Sequence, residues 1–175
     1  MKGFVLWLTG LPAAGKTTLA RSVAEALRAR GLTRLEVLDG DIIRTNLSQG
    51  LGFSKADRET NILRIGFVCR LLARNDVIVI VAAIAPYREL RERVRKEIGR
   101  YVEVYVKCPL EVLIQRDPKG LYRRALAGSL SEFTGVSAPY EEPVQPEITV
   151  ETDRESVEAS TKRIVESLHA LGWLC

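Results

Sequence analysis

The stretch Gly10-Leu11-Pro12-Ala13-Ala14-Gly15-Lys16-Thr17 decides the fold. It fits G-x-x-x-x-G-K-[ST], a loop that wraps phosphate. The flanks fit as well. An apolar run at residues 4–9 reads as a buried strand before it. A helical pattern over residues 15–30 follows, with Leu19, Val23 and Leu27 at four-residue spacing and Gly31 as a C-terminal cap. The glycines let the backbone curl until its N–H groups face phosphate oxygens, and the helix N-terminus adds positive partial charge. Lys16 is placed to reach the β- and γ-phosphates, and the Thr17 hydroxyl to ligate Mg²⁺. Pro12 has no N–H, so the loop lacks one possible donor. The loop implies nucleotide binding and leaves the second substrate open.

Outward from the loop, short apolar runs alternate with helical patterns, which argues for a parallel α/β sheet. Residues 35–38, 77–83, 102–107 and 148–150 read as further strands, giving five with the first. Ser54 with Asp57 three residues on reads as a helix start, and that helix buries Ile62, Ile65, Cys69 and Leu72. Residues 88–98 read as a highly charged surface helix, and 110–116 as a short one. Residues 119–128 read as a basic helix ending in a Gly/Ser turn. Pro139, Pro143 and Pro146 make 135–147 a loop. Residues 154–171 close the chain as an amphipathic helix with Val157, Ile164, Leu168 and Leu171 inward. His169 on that helix reads as a plain surface residue, since nothing nearby needs it. The expected fold class is α/β, a P-loop NTPase in three α/β/α layers with a mainly parallel five-stranded sheet and a small basic lid. With no repeat or linker, residues 1–175 read as one domain, its lid at about 116–135.

Composition narrows the class. Lys and Arg number 26 against 22 Asp and Glu, a net charge of +4 that suits anionic ligands without demanding nucleic acid. The odd count of three cysteines, Cys69, Cys108 and Cys175, has no metal-type spacing and argues against a disulfide framework. A reducing cytoplasm is the simple reading. No targeting segment is visible, and the longest apolar run, residues 77–85, is too short to span a bilayer.

Ligands of open α/β sheets bind beyond the carboxyl ends of the strands. The second strand ends at Asp39-Gly40-Asp41 with Arg44 one turn on, and the third at Ile84-Ala85-Pro86-Tyr87-Arg88. Beside a phosphate loop, one aspartate can hold the metal's water shell and the other can accept a proton from an attacking hydroxyl. An Asp-Gly turn with an N-cap aspartate is the plainer alternative. Arg58 and Asn61 lie three apart on the second helix, and their face is read as opposite the Ile62/Ile65/Cys69 stripe, hence solvated. Arg116 to Arg124 is a dense basic cluster, either a lid that closes over ATP or a charged surface helix.

These residues resemble the adenylylsulfate kinase family. The resemblance rests on Leu38-Asp-Gly-Asp41-x-x-Arg44, Leu51-Gly-Phe-Ser-x-x-Asp-Arg58-x-x-Asn61-Ile, Ile84-Ala-Pro-Tyr-Arg88, Arg116-Asp-Pro-Lys-Gly-Leu-Tyr122, Phe133-Thr-Gly135 and Pro139-Tyr-Glu. It runs from Thr9 to about Thr152. It implies the reaction of ATP with adenylylsulfate to give 3′-phosphoadenylylsulfate and ADP, with Mg²⁺, in a homodimer. It implies that Asp41 sits beside the 3′-hydroxyl and that Arg44, Arg58 and Asn61 hold the phosphosulfate and ribose end. It implies that Phe53 and Phe133 clasp the adenine, that Lys119 comes from the lid, and that Ile84, Ala85 and Glu132 also face the substrate. Thr18 and Arg116 join residues 10–17 on the ATP side, and Asp39 or Asp41 reaches the metal through water.

Two departures stand out. Pro12-Ala13 replaces the more usual Ser-Gly, and Ala85 stands where relatives commonly carry a serine proposed to take a phosphoryl group. Two rival readings stay open: a related kinase for another nucleotide-like hydroxyl, and a nucleotide-sensing module without turnover. A nucleic-acid kinase fits poorly, because no long basic stripe is present.

Overall fold

The structure is a computed structural model and describes residues 2–174. Among these residues five strands form one sheet: β1 (Val5–Thr9), β2 (Leu35–Asp39), β3 (Ile78–Ala82), β4 (Tyr101–Lys107) and β5 (Ile148–Glu151). Every pairing is parallel, and the order is β2-β3-β1-β4-β5. The helices are α1 (Lys16–Arg28), α2 (Gly40–Thr45), α3 (Lys55–Ala73), α4 (Arg88–Ile98), α5 (Leu110–Arg116), α6 (Leu121–Leu126) and α7 (Val157–Ala170).

A parallel sheet covered on both faces needs strands that are apolar throughout. β1 and β3 are buried at every position. Their side chains alternate between faces. Leu6, Leu8, Ile80, Val102 and Val104 enter the core under α1 and α7. Val5, Trp7, Val79, Val81 and Tyr101 enter a second core under α3 and α4. The expected strands therefore appear, displaced by a residue or two at their ends.

Three helix readings need correction. Arg58 and Asn61 are not on a solvated face; each is only 7% exposed, beside Ile62 and Ile65. At 3.6 residues per turn, positions 58, 61, 62, 65 and 69 share one stripe. Val157 and Leu171 are exposed rather than inward. They sit at the two ends of α7, whose buried stripe is Ser160, Thr161, Ile164, Val165 and Leu168. α4 is charged, yet its Arg91 is buried with Leu90 and Val94.

α6 begins only at Leu121, because Asp117 accepts from the N–H groups of Tyr122 and Arg123, each at 3.0 Å. Lys119 is thus left in the preceding turn. The N-cap alternative for the Asp39-Gly40-Asp41 turn holds: Asp39 caps α2 by accepting from the Asp41 N–H at 2.9 Å. Ser54 caps α3 through the Asp57 N–H, as its sequence predicts.

Cys69 and Cys108 are buried free thiols. Burial pushes Cys69 up to about 12, so it packs as an inert hydrophobe. Cys175 lies outside the described residues. His169 is exposed and meets Arg30 at 2.9 Å. Among the described residues no helix is long and apolar enough to cross a membrane.

Candidate active site

The carboxyl ends of β1, β2 and β3 meet at one cavity of about 700 Å³. β1 delivers the phosphate loop. At Gly10 an added Cβ would lie 2.4 Å from the Val106 carbonyl oxygen, so the tight turn off the strand needs glycine. Ala13 takes a left-handed φ of 62°, which costs a residue with a Cβ about 1–2 kcal/mol. That is a physical reason for the glycine found there more usually. Lys16 donates from Nζ to the carbonyls of Gly10 (2.9 Å) and Leu11 (2.7 Å). Burial pulls its ammonium down to about 7, against the opposing pull of Asp41 and Asp39. Thr17 and Thr18 begin α1 and line the cavity.

β2 delivers two aspartates with different surroundings. Asp39 is buried and committed in part to its cap. Asp41 is exposed and forms an ion pair with Lys119, in the turn before α6. Arg44 lies 4.4 Å over the Phe53 ring and donates to the Gly52 carbonyl at 3.1 Å.

Arg58 staples two segments together. Its Nε donates to the Phe53 carbonyl and its Nη1 to the Thr134 hydroxyl, both at 2.7 Å, while Nη2 donates to the Glu132 carbonyl. Phe53 is 54% exposed and lines the cavity. Phe133 does not line it; the ring stands edge-on to Tyr122 and packs against the α1/α7 core. Asn61 lines the cavity, and its Oδ1 is buried without a hydrogen-bond partner.

β3 leads into Ile84-Ala85-Pro86, all three on the cavity wall. Ala85 is 1% exposed and left-handed, with φ 46°. Of the residues singled out from sequence, the cavity gathers Pro12, Ala13, Gly15, Lys16, Thr17, Thr18, Asp39, Asp41, Arg44, Phe53, Arg58, Asn61, Ile84, Ala85 and Lys119. Gly10, Leu11, Ala14, Arg116, Glu132 and Phe133 are not among the residues that line it.

This arrangement agrees with comparison to known proteins. The profile of the family described as adenylylsulphate kinase matches residues 2–151. This chain belongs to the adenylylsulphate kinase family. The adenylyl-sulfate kinase of Rippkaea orientalis is 56% identical, covering 99% of this chain and 95% of its own. That of a Picosynechococcus species is 54% identical over 99% of this chain and 97% of its own. Among solved structures, the Mycobacterium tuberculosis APS kinase CysC in complex with AMPPNP and APS superposes with a TM-score of 0.90. It is 38% identical, covering 96% of this chain and 98% of its own.

Two further sets of contacts, at Thr152 and at the Arg91–Glu103 pair, involve residues to which the sequence pattern assigns no role. Thr152 donates from its hydroxyl to the Ala14 carbonyl at 2.9 Å. Arg116 donates to the Thr152 carbonyl at 2.5 Å and to its hydroxyl at 3.2 Å, so it backs the phosphate loop through Thr152. Nothing in a lone Thr after a strand signals this. Arg91 and Glu103 form a buried ion pair at 3.0 Å. Here a signal existed: Glu103 interrupts an apolar strand, and a buried carboxylate needs a cation.

Proposed function

We propose that this chain is an ATP-dependent kinase that transfers the γ-phosphate to the 3′-hydroxyl of adenylylsulfate, giving 3′-phosphoadenylylsulfate and ADP. The observation that carries the reading is a shared cavity. A phosphate loop and an acceptor wall of Asp41, Phe53, Arg58 and Asn61 open into the same 700 Å³ space. Domain 1–175 acts as one kinase unit, with a lid at about 116–135.

The roles follow from chemistry. Loop N–H groups and Lys16 hold the β- and γ-phosphates; with an anion present, Lys16 leaves its loop carbonyls for the phosphate. Asp41 is the exposed carboxylate and is free to orient or deprotonate the acceptor hydroxyl once Lys119 turns to the incoming anion. Arg44 and Arg58 face the phosphosulfate. The orphaned Asn61 Oδ1 is an acceptor waiting for a ligand donor such as a ribose hydroxyl. Phe53 offers its exposed face to the adenine.

Thr17, Asp39 and Asp41 form an all-oxygen donor set on the cavity wall, which fits Mg²⁺. Among the described residues no cluster of three or more His, Cys, Asp or Glu is built for a metal. That agrees with an ion held largely by phosphate and water. Bound there, Mg²⁺ neutralises charge on the transferring phosphoryl group. We further infer a cytoplasmic homodimer that does not act on nucleic acid or at a membrane.

The test is ADP release from Mg·ATP with and without adenylylsulfate, and with AMP or shikimate in its place. Strong stimulation by adenylylsulfate alone supports the assignment. Equal stimulation by unrelated hydroxyl compounds removes it.

A further inference from the structure

The turn Ile84-Ala85-Pro86 is pinned at three consecutive carbonyls, each by a different element. Ile84 accepts from the Thr9 hydroxyl at 2.5 Å. Ala85 accepts from Arg91 Nη1 at 2.7 Å. Pro86 accepts from the Glu141 N–H at 2.9 Å. This turn forms part of the cavity wall.

The middle pin differs from the other two. Ala85 holds a left-handed φ of 46°, a conformation that persists for a residue with a Cβ only where its surroundings enforce it. The enforcing group is a guanidinium that is itself immobilised. Arg91 is 2% exposed, and its Nε lies 3.0 Å from the Glu103 carboxylate, itself 4% exposed in the middle of β4. Its Nη2 donates to the Glu141 carbonyl at 2.7 Å, and Tyr140 covers it at 5.8 Å. The planar fork of arginine can hold two carbonyls and a carboxylate at once, which a lysine ammonium cannot do in the same geometry.

We propose that Arg91 is a positioning residue for phosphoryl transfer: anchored to the sheet through Glu103, it clamps the Ala85 carbonyl and so fixes the acceptor wall. The proposal rests on the acceptor reading given above. The ion pair alone does not explain this arrangement. A buried pair contributes little net stability over apolar residues of similar volume. The Ala85 carbonyl, by contrast, has no substitute donor once the guanidinium is gone. Loosening this wall shifts the acceptor hydroxyl against the γ-phosphate, where misplacement by about an ångström is expensive in rate.

The test compares R91M/E103L and R91K with the wild type by thermal unfolding and by kinetics with Mg·ATP and adenylylsulfate. R91M/E103L removes both charges of the pair together, and Arg95, 3.6 Å from Glu103, keeps Glu147 as its partner at 2.5 Å. R91K retains a cation for Glu103 but loses the fork. The double variant is expected to fold but to unfold roughly 5–15 °C below wild type, because the Ala85 and Glu141 carbonyls lose their donor. Its KM for ATP should stay within about twofold, while kcat/KM for adenylylsulfate falls about tenfold or more, the worth of a charged hydrogen bond. R91K should fall between the two. Wild-type acceptor kinetics in the folded double variant overturn the proposal. So does a parallel loss for ATP and adenylylsulfate. Failure of both variants to fold makes Arg91 an element of the fold and overturns it as well. Lack of turnover by the wild type is a different result, because it removes the acceptor reading itself.

Discussion

The Tyr122 hydroxyl donates to the Pro12 carbonyl at 2.9 Å, so α6 is tied directly to the phosphate loop. The same ring meets Phe133 edge-on, with centroids 5.0 Å apart and planes at 85°. Through Tyr122, α6 therefore touches both the phosphate loop and Phe133. Burial holds the phenol above its usual range, which keeps it a donor at any working pH. Tyr122→Phe keeps the ring and removes the tether. It should cost about 0.5–1.5 kcal/mol in stability and raise KM for ATP more than KM for the acceptor. An unchanged KM for ATP would remove the tether from the mechanism.

Lys16 makes nucleotide binding depend on pH. Its ammonium is pulled down from 10.5 to about 7, first by burial. The unfolded chain therefore binds more protons than the folded one between pH 7 and 10.5. This group's contribution to stability rises across that window and is lost as pH falls back toward 7. Phosphate favours the charged form, so ATP binding at pH 8 should draw a proton onto Lys16. Calorimetry in buffers of different ionisation enthalpy should report net uptake, and ATP affinity should weaken above pH 7. Lys16→Ala should abolish both the uptake and turnover. Proton release by the wild type would place the titration elsewhere.

Asp41 is the carboxylate with room to act. Asp41→Asn keeps its shape but removes the proton acceptor and the partner of Lys119. General-base groups contribute about 10²–10⁴-fold, so kcat should fall within that range while Tm changes little, because the pair is solvent-exposed. Near wild-type kcat would leave Asp41 as a turn residue.

The two phenylalanines should behave differently. Phe53 is 54% exposed, with Arg44 stacked 4.4 Å from its ring centre. Phe53→Ala should weaken adenylylsulfate binding by about 1–3 kcal/mol with little change in Tm. Phe133 is packed against Tyr122 and the core, so Phe133→Ala should lower Tm as well. Equal thermal effects from both substitutions would contradict this division.

Most of the sheet was legible because buried parallel strands are apolar throughout, as at Ile78–Ala82. The phosphate loop was legible because its geometry admits few residue types. Other features depend on contacts between distant segments. Nothing local distinguishes Arg91 from its charged neighbours on α4; the Glu103 carboxylate on β4 and the Ala85 and Glu141 carbonyls make it a core residue. Asp39 and Asp41 looked interchangeable in sequence. Their roles separate only when α2 forms and one of them becomes its cap. The burial of Arg58 and Asn61 was available from helical spacing, since they share a stripe with Ile62 and Ile65. What spacing lacked was the 132–134 segment that Arg58 reaches.

Phosphoryl transfer should be direct, with no phosphoenzyme. A covalent route needs a nucleophile within reach of the γ-phosphate. At the turn after β3 the chain has Ala85, whose methyl group cannot accept phosphate, and Ile84 and Pro86 beside it cannot substitute. The Thr9 hydroxyl donates to the Ile84 carbonyl and also meets the Tyr140 hydroxyl at 3.0 Å, so it is engaged away from the nucleotide. Thr17, proposed above to face the metal, is a poor alternative. Asp41 could form an acyl phosphate, but its place opposite the lid suits orientation or base work better. Positioning and charge neutralisation supply most of the catalysis in such transfers, and a covalent step is not needed. Incubation with γ-labelled ATP and no acceptor, followed by a quench, should leave the protein unlabelled. Ala85→Ser should change kcat by no more than a few-fold, because the added hydroxyl has no covalent task. Stoichiometric label that chases into product on adding adenylylsulfate, at a rate matching turnover, would establish the covalent route instead.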